Sequence, residues 1–99
     1  MLLTHAVLLA EARSHVAALA DNALTFDGEM EYERVLLELD ELHGGIFPPT
    51  TVVLITDPVV LFDIAYEAIS GLEAHEVDAF GLELCLAMLI AARETDTRS

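Results

Sequence analysis

Lysine, glutamine and tryptophan are absent from this 99-residue chain, and cysteine occurs once. Without lysine, only four arginines stand against eighteen Asp and Glu residues, for a formal charge of −14. So few cations build no basic patch, which excludes direct binding to nucleic acid or to an anionic membrane surface and favours a basic partner instead. A single cysteine rules out an intrachain disulfide. Cys85 lies in the apolar run LELCLAMLIA, where a buried thiol is the ordinary occupant.

Targeting signals are missing too. Ala18-Leu19-Ala20 imitates a signal-peptidase site, but no positive region precedes it, and Glu11, Arg13 and His15 interrupt the apolar stretch. Residues 47–66 approach the length of a membrane span yet contain prolines, Asp57 and Asp63. Each carboxylate at the centre of a span costs about 2.5–3.5 kcal/mol. The chain reads as a soluble, cytoplasmic protein. It also contains no G-x-S-x-G, no phosphate-binding glycine loop and no Cys/His pairing with ligand spacing, so it is expected to be neither an enzyme nor a cofactor carrier.

What the chain has in excess is apolar residues: 55% of it is hydrophobic and the mean hydropathy is +0.52. A chain of this length hides only about 60–65% of the surface its unfolded form exposes. The surplus predicts contact with another chain, most simply as a homodimer.

Periodicity predicts an all-α, four-helix bundle with helices near 2–21, 28–43, 58–71 and 76–93. Residues 1–93 form the single domain and 94–99 a frayed polar tail. In the first helix Leu2, Ala6, Leu9, Ala10, Val16, Ala17 and Ala20 recur at helical spacing, and Leu24 and Phe26 are expected to drop into the core behind it. The second helix has Asp27 as N-cap, an apolar stripe of Tyr32, Val35, Leu36, Leu39 and Leu42, and a stop at Gly44-Gly45. Thr50–Thr56 has strand propensity but no second strand to join, so it reads as a short helix or an extended segment unless two chains pair there. Asp57-Pro58 then opens the third helix, with Leu61, Phe62, Ala65, Ala68, Ile69 and Leu72 inward. The fourth is apolar almost all round from Gly81, and Gly81 suggests close approach of another backbone.

Three sets of residues carry candidate functions. Leu82, Leu86, Leu89 and Ile90 on the last helix, with Val59 and Phe62, are expected to form a self-interface. The acids cluster: residues 27–41 hold seven against one arginine, net −6, and residues 57–83 hold seven and no base, net −7. Side by side, those two helices would make one negative face, with Glu31, Glu38, Glu41, Asp63 and Glu67 meeting a partner. The first functional expectation is thus a non-enzymatic protein that self-associates and acts through protein–protein contact. The second is an acidic module binding a basic protein, as inhibitors, antitoxins, immunity proteins and DNA mimics do, a likeness of charge and size only. A third is a metal-binding helical enzyme. Its weak candidates are Glu11 with His15 (i, i+4) and Asp40 with His43 (i, i+3), spacings that aim a carboxylate and an imidazole the same way from a helix.

Overall fold

Each helix starts or stops where the sequence supplies the backbone chemistry for it. The computed structural model describes residues 1–97: α1 spans Leu3–Asp21, α2 Phe26–Leu42, α3 Pro58–Gly71 and α4 Ala79–Thr97, with a 3-10 turn at Leu72–His75. The all-α four-helix expectation holds, and among the described residues there is no strand. Asp57 caps α3 by accepting from Val59 N–H at 3.0 Å, and Pro58 fills the first helical position. Gly44 and Gly45, at φ +64° and +77°, supply the left-handed stop after α2. Glu76 (φ 60°) makes the corresponding reversal before α4, whose first turn is capped by Asp78 accepting from Gly81 N–H.

Four expectations at element ends are corrected. The cap of α2 is Thr25, which accepts from Gly28 N–H at 2.9 Å, while Asp27 lies in the first turn, where its charge complements the helix dipole. Leu24 and Phe26 are both 73% exposed, because the turn is held down by its backbone and not by their side chains. Residues 94–97 are not frayed: α4 continues to Thr97 and Asp96 is buried. The rest of the expected tail, residues 98–99, lies outside the described residues. The last helix also starts at Ala79 and not at residue 76, since Glu76 turns the chain first.

The order of packing follows from contacts at the helix ends. His5 stacks on His75, and a Cβ at Gly71 would meet Leu8, so the start of α1 lies beside the end of α3. Gly28 abuts Asp96 and Gly81 abuts Leu42, so α2 and α4 also run antiparallel. The ring of neighbours is α1–α2–α4–α3, with α2 and α3 at opposite corners. The α2–α3 connection therefore has to travel the full length of the bundle. It does so along α1, and residues 46–57 of it, which carry no helix, are called the strap below.

Leu9, Val16, Leu19, Val35, Leu39, Leu61, Ile69, Leu72 and Leu89 fill the core. Each such side chain contributes about 1.5–3 kcal/mol by leaving water. Ala12, Ala65 and Ala68 let α1 and α3 approach closely. Cys85 is fully buried, and that burial pushes its thiol from the ordinary 9.0 up to about 12, with Glu38 adding a smaller push. A thiol-reactive dye at about pH 8 should leave native protein unlabelled and label it fully in denaturant. The protonated thiol favours the fold below pH 9.0, and that contribution is lost as pH rises toward 12. Labelling of native protein at the unfolded rate would refute this burial.

Candidate functional site

The five acids expected to share one face fall on two separate sides. Glu31, Glu38 and Glu41 project from α2, the first two half-buried; Asp63 and Glu67 are exposed on α3. Because the strap carries the chain to the diagonal corner, α2 and α3 are not adjacent in the bundle, and the continuous negative face is corrected to two. The α3 pair borders a groove of about 320 Å³ between α3 and α4, lined by Phe62, Asp63, Tyr66, Glu67, Ile90 and Arg93. Phe62 and Tyr66 stack at 5.9 Å, and the Arg93 guanidinium lies 4.1 Å over the Phe62 ring.

The expected self-interface is largely used up inside the chain. Leu82, Leu89 and Phe62 are buried, and Leu86 and Ile90 are half-buried against the same core; Val59 alone of the six is widely exposed. The outward stripe of α4 is Glu83, Leu84, Ala87, Ala91 and Glu94. Alanines occupy part of the solvent side, and the large apolar side chains that α4 exposes are Phe80 (76%) in its first turn and Leu84 (44%).

The metal candidates are not brought together. His15 Nδ1 donates to the Glu11 carbonyl at 2.7 Å, within its own helix. Asp40 is occupied by Arg13, which donates from Nε to Oδ1 at 2.7 Å and from Nη2 to Oδ2 at 3.4 Å. His43 joins His5 and His75 at the end of the bundle where α1 starts. Its Nδ1 donates to Leu39 O at 2.8 Å, which leaves Nε2 to accept from His5 Nε2 at 3.0 Å. His75 stacks on His5, with ring centroids 4.9 Å apart. Burial first, then the neighbouring His43 and His75, lowers the pKa of His5 below its ordinary 6.5. His5 meets His43 edge-on and His75 by stacking, and among the described residues no group of three or more His, Cys, Asp or Glu side chains is arranged to hold a metal ion.

Two sites of polar organisation escaped the sequence. Arg13 is buried; besides Asp40, it donates from Nη1 to Pro48 O and lies 3.9 Å over the Phe47 ring, so one side chain joins α1, α2 and the strap. Ser14, next to it, accepts from Thr51 N–H at 3.0 Å. At the opposite end, Asp96 accepts from Leu24 N–H, Thr25 N–H and Thr25 Oγ1–H. Nothing in local periodicity marks either residue, because their partners are 27 and 72 residues away.

Beyond these anchors the strap is bare. Val52 is 88% and Leu54 89% exposed, with half-buried Val53 between them, and Ile55, Val59 and Val60 continue the apolar strip into α3. Comparison of the chain with protein-family models, curated proteins and solved structures finds no match to any of them. No helix among the described residues is long and apolar enough to cross a membrane.

Proposed function

We propose that this is a non-enzymatic, acidic helical protein of the cytoplasm that self-associates as a homodimer and acts through protein–protein interaction. The observation that carries it is the strip of Val52, Leu54, Ile55, Val59 and Val60, exposed side chains clustered at and beside the one long segment without charge, residues 42–56. In a chain of formal charge −14, that is where a second negative copy can approach most closely. The self-interface thus moves from Leu82 and Leu89 to the strap and the start of α3, with Val59 retained.

Light scattering tests this directly. A dimer is expected at low and high salt, tightening as salt rises, because screening relieves repulsion between two −14 chains. A monomer at every salt and concentration overturns the reading.

A second reading, an inhibitor-like module for a basic protein, is favoured by the α3–α4 groove, whose lining combines the aromatic pair Phe62 and Tyr66, with Arg93 over Phe62, and the exposed carboxylates Asp63 and Glu67. A basic side chain with an apolar stem suits that lining. Association of this kind slows as salt rises, the opposite of the dimer. The two readings use different surfaces and are compatible.

A further inference from the structure

The strap has the properties of an unpaired β-edge. Among the described residues, no backbone–backbone hydrogen bond involves residues 47–56: Ile46 N–H donates to His43 O before them, and Leu61 N–H donates to Asp57 O after them. Between Phe47 and Thr56 the polar contacts the strap does make, Pro48 O with Arg13 and Thr51 N–H and Oγ1 with Ser14 Oγ, all face α1. Exposure alternates through Val52, Val53 and Leu54, the period of an extended strand with one side against the bundle. Backbone groups of an extended segment alternate in direction, and the N–H groups of Val52, Leu54 and Thr56 have no hydrogen-bond partner among the described residues.

Natural edges of this kind are blocked by charged side chains, by proline or by a bulge. Here the prolines end at Pro49, and no charge occurs between Glu41 and Asp57. The sequence TVVLIT is also the β-branched composition that strands favour.

We propose that the strap pairs with the strap of a second copy as a two-stranded antiparallel ribbon, with the two-fold axis at Leu54. This rests on the self-association reading and specifies its surface. Antiparallel pairing of identical segments satisfies two-fold symmetry in any register; centring it on Leu54, the most exposed large apolar side chain of the strap, sets Leu54 against Leu54 of the second copy and Val52 against Thr56. A second copy fits better than a basic partner because the edge offers no acid to attract a cation. An isolated two-stranded ribbon is marginal in water, so Val59 and Val60, which follow the strap directly, supply the flanking apolar contact.

Two substitutions at the exposed Leu54 separate pairing from folding. Leu54→Pro removes only the central N–H, which no described residue accepts, and Leu54→Asp sets like charges across the two-fold axis. Both are expected to keep the helical circular dichroism of the parent and to weaken dimerisation on the order of a hundredfold. The parent dimer should show a β component in its amide I infrared band that fades on dilution, and Leu84→Asp, on the outer stripe of α4, should change neither. As a check independent of those variants, Leu54→Cys should oxidise to a cross-linked dimer and Leu84→Cys should not. A dimer without the β component, or one indifferent to Leu54→Pro, overturns strap pairing while leaving self-association standing on another surface. A monomeric parent overturns both.

Discussion

Arg13→Met is expected to lower stability by about 3–5 kcal/mol, the cost of leaving a partner charge buried and unpaired. A domain of this size has roughly 5–15 kcal/mol in total, so a large part of the folded population is at stake. The reason is the position of Asp40, whose side chain is 15% exposed and whose cation is Arg13. Arg13→Lys should not rescue it: one ammonium cannot place two nitrogens on the carboxylate, meet Pro48 O and lie flat on Phe47 as the guanidinium does. Arg13→Met combined with Asp40→Leu should recover most of the loss in urea unfolding, because neither charge then remains. The double variant still lacks the Pro48 anchor, so limited proteolysis should cut its strap faster than the parent's. Near-parental stability of the single variant would show that Asp40 finds other solvation, and would remove the buried pair from the account of this fold.

Ending the chain after Arg93 should be comparably damaging, though composition marks residues 94–99 as a polar tail. Asp96 gives the turn between α1 and α2 three hydrogen bonds, from Leu24 N–H, Thr25 N–H and Thr25 Oγ1–H. Its carboxylate also sits at the N-terminus of α2, where negative charge is favoured. Removing it strands donors in a half-buried turn, for about 2–4 kcal/mol. At 4–8 °C per kcal/mol for a domain this small, the melting temperature should fall by roughly 10–30 °C. Asp96→Ala should reproduce most of that loss and Asp96→Asn part of it, since the amide keeps one acceptor and loses the charge. Gly28→Ala should act on the same contact from the other side, as its Cβ would collide with the Asp96 carboxylate. Thermal unfolding of the truncated chain at the parental temperature would refute a structural role for Asp96.

These two residues show where the sequence stops being legible. Elements written in local chemistry were readable: the Tyr32–Val35–Leu39 stripe, the Gly44-Gly45 stop, the Asp57-Pro58 start and the inward row from Leu61 to Leu72 all follow from spacing and backbone preference. The cap of α2 was misplaced by two residues because both Thr25 and Asp27 are chemically able to cap, and the choice is made by Asp96, which fixes Thr25 from the far end of the chain. The apolar outer side of α4 leaves Phe80, Leu84, Ala87 and Ala91 facing water, because composition counts alanine with the large hydrophobics and does not say which side of a helix the core takes. The acidic face divided because helix adjacency is a property of topology: charge clusters on consecutive helices do not meet when the connection between them crosses the bundle. Local spacing pairs His43 with Asp40, whereas the fold sets it beside His5, with His75 stacked on that ring, for the same reason: these three histidines are neighbours only in the fold.

The diagonal crossing also has a kinetic consequence. In a bundle of successive hairpins, each new helix docks on the one just made, and the chain closes short loops one after another. Here α1 needs α3 and α2 needs α4, and the contact between Leu24 and Asp96 closes a separation of 72 residues. The entropy of those long closures falls due before the contacts that reward it exist. Only the α1–α2 and α3–α4 contacts are local, and each of those hairpins is left with an open apolar flank until the strap is laid along α1. Folding should therefore have the tempo of a mixed α/β domain, slower than helix content alone suggests, with the laying down of the strap as the event that commits the chain.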